Sequence, residues 1–74
     1  MNLEKAFGEE LRKAREQKGY SQEELGFESD HHRTYISQLE RGLKSPTLKA
    51  IVKISAALGI KACDLIARVE RKTR

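Results

Sequence analysis

The sequence has one cysteine, one proline and no tryptophan, and its aromatic residues are two tyrosines and two phenylalanines. Because Cys63 has no partner, a disulfide within the chain is excluded, and such cysteine usage is typical of a reducing compartment. No apolar run approaches the roughly 20 residues that a membrane-spanning helix needs. The charged N-terminal segment is also unlike a signal peptide. The composition therefore indicates neither a secreted disulfide scaffold nor a membrane protein.

Signals of catalysis are missing as well. The sequence contains no glycine-rich phosphate loop, no cluster with metal-ligand spacing and no nucleophile next to an orienting base. His31 and His32 are adjacent, and neighbouring side chains in a turn rarely converge on one ion. We therefore expect no enzyme activity, no cofactor and no metal site.

Length and charge narrow the class further. A chain of 74 residues makes one domain, residues 1–74, with a thin core. Residues 1–40 contain six basic and nine acidic residues, whereas residues 41–74 contain nine basic and two acidic ones. The second half therefore carries a net charge of +7. A basic half attracts polyanions, of which DNA is the commonest large one, although any small soluble protein carries some net charge.

Caps and apolar periodicity predict an all-α chain of five helices. Four of the predicted helices begin after a capping residue or end near a glycine: Leu3 to about Lys18 after Asn2, a second after Ser21, a third from His32 or Arg33 to Arg41, and a fourth from Leu48 to Leu58 after Thr47. A fifth is predicted from Lys61 to about Arg71. The predicted inward faces hold Leu3, Ala6, Phe7, Leu11 and Ala14 in the first, Leu48, Ile51, Val52, Ile54 and Leu58 in the fourth, and Leu65, Ile66 and Val69 in the fifth.

Residues 21–42 read as two short helices joined by a tight turn. Ser21 and Glu24 form a capping-box pattern, and the turn residues Ser29 and Asp30 follow. On the third helix, one face collects groups that can bind phosphates or base edges, namely Arg33, Thr34, Ser37, Gln38 and Arg41. A solvated polar face is the alternative. The lack of an acid before Glu40 and the helix–turn–helix frame favour DNA binding.

These residues also carry a family resemblance. The segments SQEEL (21–25), RTYIS (33–37) and ERG (40–42), with SPTL (45–48) and LGI (58–60), resemble the XRE family of lambda-repressor and Cro-like DNA-binding domains. The RTYIS segment is similar to that of small stand-alone regulators such as restriction–modification controller proteins. The resemblance implies a compact five-helix lambda-repressor-like domain with a helix-turn-helix. Two positions depart from the family pattern, since Asp30 stands where glycine is usual and His31 where an apolar residue is usual.

The resemblance also implies roles for individual residues. Arg33 and Thr34 match the principal base-reading positions, and Gln38 lies one turn further along the same face. Contacts to the DNA backbone are expected from Gln22, His32, Tyr35, Ser37, Arg41, Lys44 and Lys49. For Gln22 a plain polar role at the helix start is equally open, and for Tyr35 core packing is the alternative. Arg15 and Glu40 are expected to form a partly buried ion pair.

The predicted function is sequence-specific regulation of transcription by a homodimer at a two-fold operator. The expected dimer seam, at about residues 56–70, comprises Leu58, Ile60, Leu65, Ile66 and Val69. Partners would be double-stranded DNA, a second copy and RNA polymerase, the last through the acidic residues Glu23, Glu24 and Glu28. The resemblance implies a cytoplasmic, nucleoid-associated location in bacteria or phage. Two alternatives stay open, an antitoxin that binds a toxin and represses its own operon, and a nonspecific nucleic-acid binder.

Overall fold

The computed structural model describes residues 1–74 and contains five helices and no strand. The helices are α1 (Leu3–Lys18), α2 (Gln22–Glu28), α3 (Arg33–Glu40), α4 (Leu48–Leu58) and α5 (Ala62–Lys72). This confirms the all-α fold predicted from the sequence. No helix combines the length and the apolar character that crossing a membrane requires.

Side-chain caps fix the start of four helices. Asn2 Oδ1 accepts from the backbone N–H of Lys5 at 2.8 Å, and Thr47 Oγ1 accepts from that of Ala50 at 3.0 Å. At α2 the capping box is complete, because Ser21 Oγ accepts from Glu24 N while Glu24 Oε1 accepts from Ser21 N. The hydrogen bond that the carboxylate accepts from the backbone N–H of Ser21, and to a smaller extent its contact with the Ser21 hydroxyl, hold the pKa of the Glu24 carboxyl below its ordinary value. Gly19 and Gly59 end α1 and α4 in left-handed conformations.

The core lies where α1 packs against α3 and α5 and where α2 and α4 close the remaining sides. Its members are twelve buried apolar residues: Ala6, Phe7, Leu11, Ala14, Leu25, Ile36, Leu39, Ala50, Ile54, Leu58, Leu65 and Val69. Three residues predicted to face inward do not. Leu3, Leu48 and Val52 are 60%, 78% and 52% exposed. Leu3 and Leu48 are the first residues of α1 and α4, and Val52 lies about one turn after Leu48.

The contact between α1 and α3 depends on Gly8. A Cβ at this position would overlap the carbonyl oxygens of Leu39 and Glu40, which belong to the last turn of α3. These are backbone atoms and cannot move without shifting α3. Only glycine therefore allows the two helices to lie this close.

Gly8→Ala is expected to lower the free energy of unfolding by about 1–3 kcal/mol, the usual cost of overpacking. Helix propensity alone would favour alanine by about 1 kcal/mol, so a loss isolates the collision. Gln17→Ala, at an exposed position of the same helix, is the control and should change stability little. Urea unfolding gives both values. Equal stability of Gly8→Ala and wild type would contradict the close approach.

Candidate nucleic-acid interface

Helix α3 is held to the body by one side only. Ile36 and Leu39 are completely buried, whereas Arg33, Thr34 and Arg41 are exposed and Ser37 and Gln38 are half-exposed. At the helix start His32 Nδ1 accepts from Thr34 N at 3.0 Å. The ring must therefore carry its hydrogen on Nε2 to act as this cap. The polar face is thus presented outward on a helix with a fixed first turn.

The side chains of this face make no hydrogen bond or ion pair within the chain. The internal polar contacts of the chain involve none of the side chains of Arg33, Thr34, Ser37, Gln38 and Arg41. The same holds for Lys44 in the following loop and Lys49 at the start of α4, both of which are exposed. Together they offer guanidinium, ammonium, hydroxyl and carboxamide groups, the set that binds phosphates and base edges in a major groove.

The one acid of α3 is neutralised. Arg15 Nε donates to Glu40 Oε2 at 2.6 Å and Arg15 Nη2 to Glu40 Oε1 at 3.1 Å, so the pair is bidentate. The two side chains are only 12% and 4% exposed. Arg15 Nη1 also donates to the carbonyl of Tyr20 at 2.8 Å. The hydrogen bonds to Glu40 raise the pKa of Arg15, against the lowering effect of its burial. The structure thus contains the ion pair that the resemblance implies.

Gln22 takes part in the same cluster, which the sequence did not indicate. Its Nε2 donates to Glu40 Oε1 at 3.1 Å. An amide group has a second N–H and a carbonyl oxygen, so one donor stays free for an anion. Gln22 therefore links the start of α2 to the end of α3 and is held in place before any ligand arrives.

The turn between α2 and α3 is tied to its surroundings. Ser29 is buried and its hydroxyl donates to the carbonyl of Leu25 at 2.7 Å. Asp30 takes the left-handed conformation, with φ 62°, in place of the usual glycine. Its carboxylate accepts from Lys53 Nζ at 3.0 Å, which lowers the pKa of Asp30 and joins the turn to α4. This ion pair is largely exposed, because 88% of the Asp30 side chain and 37% of the Lys53 side chain are accessible to solvent.

His31 fills the other unusual position. It is half-buried, and its ring stacks on that of Tyr35 with centroids 5.1 Å apart and planes 20° from parallel. Its Nδ1 lies 3.3 Å from Ser29 Oγ. The spacing of four residues across a helix start is the only sequence signal for this contact. No group of three or more His, Cys, Asp or Glu side chains converges to hold a metal ion.

The predicted dimer seam needs correction. Leu58, Leu65 and Val69 are 5%, 0% and 2% exposed and belong to the core of their own chain, so they have almost no surface for a partner. Ile60 and Ile66 are half-exposed. Other exposed large apolar side chains are Met1, Leu3, Phe27 and Leu43, and α4 contributes an exposed apolar strip at Leu48 and Val52. A shallow groove of about 360 Å³ has apolar walls from α1, α4 and α5, namely Leu3, Phe7, Pro46, Ile51, Ile66 and Val69.

Known proteins are similar to this chain in sequence and in structure. The family described as Helix-turn-helix matches residues 11–65, which include α2 and α3. The control protein C.BamHI from Bacillus amyloliquefaciens is 48% identical over 66 residues, which cover 88% of this chain and 82% of that protein.

Two solved structures support the same conclusion. The restriction-modification controller protein C.AhdI from Aeromonas hydrophila superimposes with a TM-score of 0.80 at 41% identity, over 82% of this chain and 92% of that one. The clp gene regulator ClgR from Corynebacterium glutamicum superimposes with a TM-score of 0.92 at 30% identity, over 97% of this chain and 77% of that one. Their names describe regulators and not enzymes. The chain belongs to the XRE-type helix-turn-helix family of DNA-binding transcriptional regulators.

Proposed function

We propose that residues 1–74 act as one DNA-binding domain that works as a homodimer and inserts α3 into the major groove of a two-fold operator. The observation that carries this proposal is the set of unpaired polar side chains on a helix whose opposite side is completely buried. The backbone that carries these donors is already fixed, and no internal hydrogen bond must be broken before they bind a ligand. The similarity to control proteins supports a role in regulating restriction–modification genes.

Within this proposal the base readers are Arg33, Thr34 and Gln38. A guanidinium pairs bidentately with guanine O6 and N7, a carboxamide with adenine N6 and N7, and the threonine methyl packs on thymine. Phosphates are bound by the side chains that border this face: Gln22, His32, Tyr35, Ser37, Arg41, Lys44 and Lys49. The buried pair of Arg15 and Glu40 keeps negative charge away from the same surface.

We expect a dimer because a single domain of this size contacts few phosphates. With fewer phosphate contacts, binding to DNA is weaker and depends less on the salt concentration. Two copies on a two-fold site would place their α3 helices about 34 Å apart, one turn of DNA. We assign the seam to the exposed strip of Leu48 and Val52 and to the groove with Ile51 and Ile66, because Ile51 of this apolar groove lies on the same helix as the two exposed side chains.

Val52→Asp tests this seam. A carboxylate in an apolar interface is costly to desolvate, so the variant is expected to sediment as a monomer at concentrations where the wild type sediments as a dimer. Val52 is 52% exposed in the single chain. The substitution should therefore change the melting temperature of the monomer little. Phe27→Asp is the matched control, because Phe27 is 82% exposed and lies on α2. A Val52→Asp protein that stays dimeric would move the seam elsewhere.

Contact with RNA polymerase is assigned to α2. The exposed ring of Phe27 lies beside Glu23, Glu24 and Glu28, so this surface combines an apolar anchor with negative charge. A basic segment of a polymerase bound next to the operator would complement it. This contact would serve activation, whereas occupancy of the operator alone would serve repression.

A further inference from the structure

The departure from the family pattern at His31 places an aromatic ring against the DNA-facing helix. The His31 ring stacks on Tyr35 at a centroid distance of 5.1 Å, within the range of favourable aromatic pairs. Tyr35 also packs against the apolar core. The Tyr35 ring is therefore in contact with the core and with His31 at once, and its side-chain torsions have little freedom.

The His31 ring is itself anchored. The hydroxyl of Ser29 has a single hydrogen, which it donates to the carbonyl of Leu25 at 2.7 Å. The 3.3 Å contact between Ser29 Oγ and His31 Nδ1 therefore requires the hydrogen to be on Nδ1. Ser29 is 2% exposed, so this anchor lies inside the protein. A continuous path of contacts thus runs from α2 through Ser29 and His31 to Tyr35 on α3.

The end of this path is a free polar group. The hydroxyl of Tyr35 makes no hydrogen bond within the chain, although the ring that carries it is fixed. Tyr35 follows directly after Arg33 and Thr34 at the start of α3. A fixed ring with an unpaired hydroxyl at this place suits a phosphate oxygen, because binding then costs little side-chain entropy.

We propose that His31 is a positioning residue for DNA binding, which orients the Tyr35 hydroxyl toward the operator backbone through the ring stack. The inference rests on the proposed function, since it assigns to Tyr35 a contact with DNA. His31 itself need not touch the duplex. Loss of the stack frees the Tyr35 ring, and ordering it again on binding weakens the complex about three- to tenfold per chain.

A double-mutant cycle tests the inference with a duplex that wild-type protein selects from a random pool. His31→Gln keeps a side-chain N–H for Ser29 and removes the ring, while Tyr35→Phe keeps the ring and removes the hydroxyl. We expect His31→Gln to weaken binding three- to tenfold per chain in the wild-type background and less than twofold per chain in the Tyr35→Phe background. Equal loss in both backgrounds would show that His31 does not act through the Tyr35 hydroxyl and would overturn the inference.

His31→Phe supplies a second variant that keeps a ring in the stack. It should bind within about twofold of wild type, and a loss as large as that of His31→Gln would refute the stacking role. Thermal melting of each variant checks that the fold is retained. The test distinguishes a failure of the proposed function from a failure of this inference. If no duplex is selected, the proposal that the protein reads a DNA sequence is contradicted. If a duplex is selected but the losses of the two variants are additive, only the positioning role of His31 is contradicted.

Discussion

Arg15→Ala is expected to lower the free energy of unfolding by about 3–5 kcal/mol. The substitution removes the bidentate partner of Glu40 and leaves a carboxylate that is only 4% exposed without a counter-charge. It also leaves the carbonyl of Tyr20 without its donor. A domain of this length has a total stability of roughly 4–11 kcal/mol, so the loss is a large fraction of the total and the melting temperature should fall sharply. Urea unfolding monitored by circular dichroism measures the change.

Arg12→Ala is the matched control for this prediction. Arg12 lies almost one turn away on α1 and pairs with Glu16, but these side chains are 65% and 56% exposed. An exposed pair of this kind contributes at most about 1 kcal/mol. The double variant Arg15→Ala with Glu40→Gln should recover part of the loss, because no charge is then left buried. If Arg15→Ala were as stable as Arg12→Ala, the buried pair would not hold α1 to α3.

Arg33→Ala is expected to reduce operator affinity by about 1–3 kcal/mol at each half-site, which is a loss of roughly 5- to 150-fold per chain. Arg33 is exposed and has no internal partner, so its removal should leave stability nearly unchanged. The variant should lose its preference for one base pair of each half-site. Duplexes that are already altered at that base pair should bind the variant and the wild type almost equally. Competition binding across all single-base variants of the selected duplex measures this pattern.

Lys44→Ala is the control for the readout by Arg33. Lys44 is exposed in the loop after α3 and is proposed to bind only phosphate. Its removal should weaken all duplexes alike and lower the slope of log K against log salt concentration by about one unit per chain. A uniform loss for Arg33→Ala, without preference for any base pair, would assign Arg33 to the backbone and favour a nonspecific binder.

Much of the fold followed from local chemistry. The caps Asn2, Ser21 and Thr47 and the glycines after α1 and α4 predicted helix ends that the structure reproduces closely. These signals act over three or four residues, so they can be seen in the sequence. The inward stripes were predicted less well, because Leu48 and Val52 share the periodicity of the core but no helix covers them. Periodicity indicates which residues share a face and not where the neighbouring helix ends.

The sequence did not indicate several contacts. Gln22 meets Glu40, Asp30 meets Lys53, and His31 meets both Ser29 and Tyr35. The first two pairs depend on the crossing of helices, which no local pattern specifies, whereas the contacts of His31 are local and depend on the conformation of the turn. The Arg15–Glu40 pair was anticipated only through the family resemblance. The resemblance also indicated that Asp30 stands where glycine is usual, and in the structure Asp30 adopts the left-handed conformation and forms a largely exposed ion pair with Lys53.

Selection of bound duplexes from a random DNA pool, followed by a salt titration on the enriched sequence, tests most directly whether this protein reads a two-fold operator. We expect a palindromic or nearly palindromic sequence with half-sites about one helical turn apart and an affinity that falls steeply with salt concentration. Replacing one half-site should then weaken binding by far more than any single base change. A pool without an enriched sequence, bound only through a salt-dependent interaction of equal strength for all duplexes, would contradict the account.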